Sequence, residues 1–193
     1  EGALPKPTHA WEMRMYFAET PESGRIVLQT DQLSIGYQGE ALLAPISQTV
    51  TQGQRVALIG PNGVGKTTFF KTLLGETPPI AGSFAFGHGI QPGYLSQEQE
   101  GLDPSLTVLE TIQGQSELTN HTEARTFLHR FLFKGDEVFQ LVETLSYGQR
   151  SRLMLALLVA QHCNLLLLDE PLNHLDLASQ EAFETALGVF EGT

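Results

Sequence analysis

The chain of 193 residues is long enough for one domain with a substantial core, together with a small satellite subdomain. Hydrophobic residues at 41% and charged residues at 17% are typical of a soluble globular protein, and no run approaches the roughly 18 apolar residues of a membrane span. The net charge of −11, with scattered basic residues, argues against a polybasic surface for RNA or anionic lipid. The single cysteine, Cys163, excludes an internal disulfide and fits a reducing, cytoplasmic location.

The N-terminal third of the sequence is predicted to be rich in antiparallel β-strands. Residues 1–24 carry three prolines and are predicted to be the end of a linker, interrupted by one half-buried strand at residues 13–17. A second strand is predicted at residues 26–37 with a break near Asp31, and a third precedes the turn at residues 51–54. Tyr37 could stack on an adenine ring, although a core tyrosine fits the same pattern.

A glycine-rich loop follows a short apolar segment, residues 56–59, that is predicted to be a buried strand. Backbone N–H groups of the loop, and the N-terminus of the helix that ends at Gly75, are predicted to cradle phosphates. Lys66 neutralises the β- and γ-phosphates, and the Thr67 hydroxyl reaches Mg²⁺. The pattern therefore predicts a site for a nucleoside triphosphate with Mg²⁺. The predicted binding residues are Gly60, Asn62, Gly63, Val64, Gly65, Lys66, Thr67 and Thr68.

The middle of the chain changes from strand patterns to helix patterns. A strand is predicted at residues 83–86, and another ends near Gln97, whose amide could reach Mg²⁺ or an attacking water; an exposed loop glutamine fits equally well. Ser146 is predicted to cap a long apolar helix that runs to about residue 161. With Gly148 and Gln149, this helix N-terminus suits a phosphate, with ordinary capping as the alternative. Three shorter helices are predicted at residues 107–112, 122–131 and 137–141.

Two acidic residues follow an apolar run at residues 165–168, which is predicted to be a buried strand. Asp169 is predicted to hold Mg²⁺, directly or through water, and Glu170 to align or deprotonate the attacking water. The alternative, a strand that ends in two solvated acids, is disfavoured by the complete phosphate loop about a hundred residues upstream. A last helix, capped by Ser179, is predicted to end near residue 190.

In this order, the segments from about residue 13 onward resemble the ATP-binding cassette (ABC) ATPases. The matching motifs are the Walker A loop at residues 60–67, the signature motif at residues 145–149 and the Walker B strand at residues 165–170. The resemblance also implies an adenine-stacking aromatic at Tyr37, a Q-loop at Gln97 and a D-loop at residues 174–176. It implies an α/β fold, a phosphate-loop NTPase core with a mostly parallel sheet flanked by helices. An N-terminal antiparallel β-subdomain and a helical subdomain at about residues 104–160 complete the expected domain, residues 25–193.

Within that superfamily, residues 170–176 resemble the ABC-F branch, with Leu172 where the usual sequence has threonine. Tyr147 likewise replaces the more common glycine of the signature motif. Proteins of this branch carry two cassettes in one soluble polypeptide without a membrane domain. The chain resembles the second cassette, with residues 1–12 as the end of the inter-cassette linker. A further strand that ends in a switch histidine is expected after Thr193.

The resemblance implies that ATP and Mg²⁺ bind between the Walker motifs of one cassette and the signature of another. Ser146, Gly148 and Gln149 would thus contact ATP bound to a partner cassette. The expected function is ATP hydrolysis that drives action on the ribosome, in translation or antibiotic resistance, with weak or no activity for the isolated chain. An ATPase subunit of a membrane transporter is the alternative, although residues 173–176 and the short stretch between Gln97 and Leu145 argue against it. A nucleotide-binding module without hydrolysis is the third possibility.

Overall fold

The computed structural model describes residues 13, 15–17, 21–37, 39–96, 101–173 and 175–193. These residues form two compact units. The sheet unit contains the described residues from 17 to 96, together with residues 161–173 and 190–193. The helical unit contains residues 101–160 and 175–189, together with Met13, Met15 and Tyr16.

Antiparallel strands form the first part of the sheet unit, as the sequence predicts. The strands are β1 (Ile26–Ser34), β2 (Gly36–Tyr37), β3 (Glu40–Ala41), β4 (Ile46–Thr51) and β5 (Ala81–Phe86). β1 lies between β4 and β5, and β2 pairs with β3 in a short hairpin. The register of β1 shifts after Thr30, where Gln32 has a φ of 45°, so the predicted break near Asp31 is a bulge.

One helix and one parallel strand pair complete the sheet unit. α1 (Lys66–Leu73) follows the glycine-rich loop and ends before Gly75, whose φ of 79° suits a helix C-terminus. β6 (Pro92–Leu95) pairs with β7 (Leu165–Leu168) in parallel, the only parallel pair among the described strands. The carboxyl end of β7 therefore lies beside that of β6, where ligands of parallel sheets bind.

The core of the sheet unit holds α1 against the strands. Phe69 and Leu73 of α1 are buried in one cluster with Leu165 and Leu167 of β7. Burial of each such side chain contributes about 1.5–3 kcal/mol. Four buried residues of β1 and the segment after it belong to the same cluster, Val27, Leu28, Leu33 and Ile35. This packing fixes the N-terminus of α1 relative to the end of β7.

The prediction of a buried strand at residues 56–59 is wrong for the described structure. This segment belongs to no strand, and Ile59 is 93% exposed. On the side of β7 opposite β6, the Leu166 N–H donates to the Thr193 carbonyl, and the Thr193 N–H donates to the Asn164 carbonyl. The Gly53 N–H in turn donates to the Thr193 hydroxyl. Thr193 thus occupies the hydrogen-bonding edge of β7 at Leu166, and no described strand pairs with residues 56–59.

The helical unit contains α2 (Val108–Gln115), α3 (His121–Arg130), α4 (Tyr147–Ala160) and α5 (Leu177–Val189). The third short helix, predicted at residues 137–141, is instead two 3₁₀ turns, Gly135–Phe139 and Val142–Thr144. The intervening Leu141 has extended backbone and bridges to Thr107, which interrupts any helical hydrogen bonding. Thr107 and Glu110 form a capping box at the start of α2.

Two further predictions need correction. The Asp176 carboxylate, not Ser179, caps α5, since it accepts from both the backbone N–H and the hydroxyl of Ser179. Ser179 lies inside the helix and is buried. The sequence predicts a strand at residues 13–17, but the described residues of this range, 13 and 15–17, form no strand. Met13 and Met15 are nevertheless buried.

Candidate active site

The glycine-rich loop presents unpaired backbone donors at the N-terminus of α1. Gly63 and Gly65 have φ of 80° and 109°, values that favour glycine, and a Cβ at Gly65 would lie 3.3 Å from Leu42. Gly65 provides no side-chain cap for α1. Within the described residues, the N–H groups of Gly65, Lys66 and Thr67 make no hydrogen bond. These donors and the helix dipole form an anion-binding site.

Lys66 holds its ammonium group against the loop. Its Nζ donates to the carbonyl oxygens of Gly60 at 2.9 Å and Pro61 at 3.1 Å. The side chain is therefore oriented towards the loop that carries the anion-binding N–H groups. A phosphate bound there would interact with the positive charge of Lys66 as well as with the backbone donors.

Thr67 and Asp169 meet although 102 residues separate them in the chain. The Thr67 hydroxyl donates to Asp169 Oδ2 at 2.5 Å. Asp169 is only 4% exposed, and its N–H donates to the Leu95 carbonyl at the end of β6. One hydroxyl and one carboxylate fit Mg²⁺, which prefers oxygen ligands and completes its shell with phosphates and water. Gln97, the third predicted ligand, lies outside the described residues.

Tyr37 lies beside the same helix. The Thr68 hydroxyl donates to the Tyr37 hydroxyl at 3.2 Å, and the tyrosine is 52% exposed. The hairpin of β2 and β3 positions Tyr37. The two strands approach so closely at Gly36 that a Cβ there would overlap the Glu40 carbonyl. An exposed ring held by its hydroxyl leaves apolar surface for a base to stack upon.

Glu170 begins a tight turn after β7. Its φ is 50°, a left-handed conformation uncommon for a glutamate, and the Asn173 N–H donates to its carbonyl at 3.1 Å. The Asn173 side chain donates from Nδ2 to Glu170 Oε2 at 2.6 Å. The sequence motifs assign no catalytic or binding role to Asn173. A proline after Glu170 indicates a β-turn, which brings residues 170 and 173 together, and that signal could have identified the pair.

The predicted signature residues lie in the helical unit. The Ser146 hydroxyl accepts from the Gln149 N–H at 3.3 Å, and the Gln149 side chain accepts from the Ser146 N–H at 2.9 Å. This reciprocal arrangement confirms that Ser146 caps α4. Gly148 lies in the first turn with open space at its missing Cβ. The N-terminus of α4 is therefore capped, and no described residue obstructs it at Gly148.

Comparisons of the chain with known proteins agree on one family. A family model described as ABC transporter matches residues 43–173. The chain is 42% identical over 92% of its length to the putative ATP-binding protein YdiF of Bacillus subtilis, and covers 28% of that protein. It is 34% identical over 98% of its length to ABC transporter F family member 5 of Arabidopsis thaliana, covering 28% of it. It is 39% identical over 89% of its length to the energy-dependent translational throttle protein EttA of Mycobacterium tuberculosis, covering 32% of it.

Solved structures share the fold. A putative ABC transporter ATP-binding protein from Pyrococcus furiosus superposes with a TM-score of 0.68 at 24% identity, covering 86% of this chain and 87% of that one. A dimeric ATP-binding cassette with bound ADP and Pi superposes with a TM-score of 0.70 at 20% identity, covering 83% of this chain and 81% of that one. These likenesses confirm the predicted α/β phosphate-loop fold. In the part of the chain that the structure describes, no helix is both long and apolar enough to cross a membrane.

Proposed function

Because the chain belongs to the family of ATP-binding cassettes, we propose that it is one cassette of a soluble two-cassette ATPase of the ABC-F branch that acts on the ribosome. Its ATP-binding character follows from the family. The observation that carries the catalytic part is the contact between the Thr67 hydroxyl and the Asp169 carboxylate. It lies next to N–H groups at the start of α1 that bond to no described residue. The proposed cassette comprises residues 25–193, with a helical subdomain at about residues 104–160.

In the proposed reaction, the loop N–H groups and Lys66 bind the β- and γ-phosphates. Thr67 and Asp169 would hold Mg²⁺, and the ion would supply positive charge at the phosphates. Glu170 orients and deprotonates the attacking water, and Gln97 senses the γ-phosphate beside it. Tyr37 stacks on the adenine. Phosphoryl transfer requires positioning and charge stabilisation more than covalent chemistry, and this set of groups supplies both.

A second cassette completes each site. Ser146, Gly148 and Gln149 at the N-terminus of α4 clasp the phosphates of ATP that is bound to the partner, where the helix dipole favours negative charge. The solved dimer with ADP and Pi supports pairing of this kind. We expect the isolated chain to hydrolyse ATP weakly or not at all, since residues 1–193 contribute halves of two different sites.

The ribosome is the proposed partner because of the relatives. The name of the throttle protein of Mycobacterium tuberculosis refers to translation, and that protein is 39% identical to this chain. The sequence of residues 170–176 also favours the ABC-F branch. The strongly acidic composition gives this chain little affinity for RNA, so we assign direct rRNA contacts to other parts of the full-length protein. The alternative, an ATPase subunit of a membrane transporter, is supported by the description of the Pyrococcus furiosus neighbour as a putative ABC transporter.

Sedimentation of the full-length protein distinguishes these partners. With Glu170→Gln, which blocks hydrolysis after ATP closes the cassettes, we expect ATP to retain the protein in the ribosome fraction of a sucrose gradient and ADP to release it. Glu170→Gln combined with Lys66→Ala is the control, which should lose the ATP dependence. Recovery in the membrane fraction with a membrane-spanning partner would favour the transporter, and equal sedimentation with ATP and ADP would refute the ribosomal role.

A further inference from the structure

Asn173 makes two contacts with Glu170, one to its backbone and one to its carboxylate. Its backbone N–H donates to the Glu170 carbonyl at 3.1 Å, and its side-chain Nδ2 donates to Glu170 Oε2 at 2.6 Å. The first contact closes the turn, and the second orients the carboxylate plane. Asn173 itself is exposed, so this bond is not a consequence of packing in the core.

Glu170 needs such support because its backbone is in an uncommon conformation. A φ of 50° directly before a proline is sterically disfavoured and persists only where the surroundings hold it. Asp169, the preceding residue, is fixed by β6 and by Thr67. The turn therefore begins from a fixed residue, and Asn173 connects the Glu170 side chain to the other end of the turn.

We propose that Asn173 is a positioning residue for Glu170: its amide holds one carboxylate oxygen and so sets the direction in which the carboxylate meets the attacking water. This inference rests on the proposed function, in which Glu170 is the general base. A base acts only within hydrogen-bond reach of the proton it removes, and a misplacement of about 1 Å reduces the rate by roughly 100-fold. Asn173 touches Glu170 and not the phosphates in this account, so its loss affects turnover and not ATP affinity.

The test compares variants of Asn173 in the full-length protein. Asn173→Asp preserves the shape but removes the donor, and Asn173→His keeps an N–H donor on a side chain of similar reach. We expect Asn173→Asp to lower the Glu170-dependent kcat by about 10-fold or more with KM for ATP changed less than about twofold, and Asn173→His to retain most of the kcat. Gln161→Glu is the charge-matched control, an exposed amide in the turn after α4, and should leave the kcat unchanged.

A double-mutant cycle separates positioning from a merely structural role. In a Glu170→Ala background, Asn173→Asp should not lower the slow residual rate of a single turnover any further, because the group that Asn173 orients is gone. The inference would be overturned if Asn173→Asp lowered the rate equally in both backgrounds or raised KM for ATP. It would also be overturned if Asn173→Asp left kcat unchanged while Glu170→Ala had lost multiple-turnover activity. If Glu170→Ala itself retained full turnover, the proposed function would fail instead, so the two failures are distinguishable.

Discussion

Asn164 is a buried polar residue on which the position of β7 depends, and its replacement should strongly destabilise the protein. It lies directly before β7, is 3% exposed and joins three separate segments. Its Oδ1 accepts from the Gln91 N–H at 2.8 Å, and its Nδ2 donates to the Gly89 carbonyl at 2.9 Å and the Pro21 carbonyl at 3.3 Å.

The expected size of the effect follows from these bonds. Asn164→Ala removes three hydrogen bonds, each contributing about 1 kcal/mol, so the free energy of unfolding should fall by about 3 kcal/mol. Such a loss is a large fraction of the roughly 5–15 kcal/mol that stabilises a typical protein. Asn164→Asp keeps the shape and the acceptor but turns a carboxylate towards the carbonyls of Gly89 and Pro21, and should be at least as destabilising.

Urea-induced unfolding, followed by circular dichroism, measures both variants. Gln161→Ala is the matched control, an exposed amide for which we expect a change within about 0.5 kcal/mol. If Asn164→Ala unfolded within that same margin of the wild type, the three bonds would not stabilise the fold. If Asn164→Asp were tolerated as well as the control, the assignment of Nδ2 as donor to two carbonyls would be wrong.

Gly36→Ala should displace the hairpin that carries Tyr37, since its Cβ would overlap the Glu40 carbonyl. Titration with a fluorescent ATP analogue should then show that the binding free energy is weaker by about 1 kcal/mol, and an unchanged affinity would argue against base stacking on Tyr37. Gly114 lies on the exposed face of α2, and no described residue lies within 4 Å of where its Cβ would be. Gly114→Ala should therefore raise the free energy of unfolding by about 0.5–1 kcal/mol, and a decrease would contradict the helix assignment. Burial raises the pKa of the Cys163 thiol from its ordinary 9.0 to about 11. At pH 8 the folded protein should therefore react with a thiol reagent roughly 100-fold more slowly than the urea-unfolded chain, and equal labelling rates would contradict the raised pKa. The stabilisation from the buried neutral thiol is fully present below pH 9 and should be lost as the pH rises through about 11.

The sequence predicts those elements whose formation depends on neighbouring residues in the chain. The glycines and Lys66 gave the loop and α1, and the apolar run before Asp169 gave β7. The same apolar pattern at residues 56–59 failed, because a strand also needs a hydrogen-bonding neighbour, and apolar character does not reveal which segment lies alongside. Ser179 and Asp176 are both good caps, and only the backbone geometry decides between them.

The arrangement of the site was predictable in part. The order of motifs indicated that Thr67 and Asp169 would share an ion, and the structure brings them into contact across 102 residues. The left-handed backbone of Glu170 and its bond to Asn173 arise in a turn that follows Asp169, which bonds to β6 and to Thr67 of α1. Propensities describe single residues, and strain of this kind is a property of the assembled site.

The most direct test of the central claim is the Mg²⁺ dependence of ATP binding, measured by isothermal titration calorimetry on the full-length wild type and on Asp169→Asn. We expect Mg²⁺ to tighten ATP binding to this site in the wild type. Asp169→Asn should lose this increment and keep its Mg²⁺-free affinity, since the loop N–H groups and Lys66 are unaltered. An equal Mg²⁺ increment in both proteins would contradict the assignment of Thr67 and Asp169 as the residues that hold the ion.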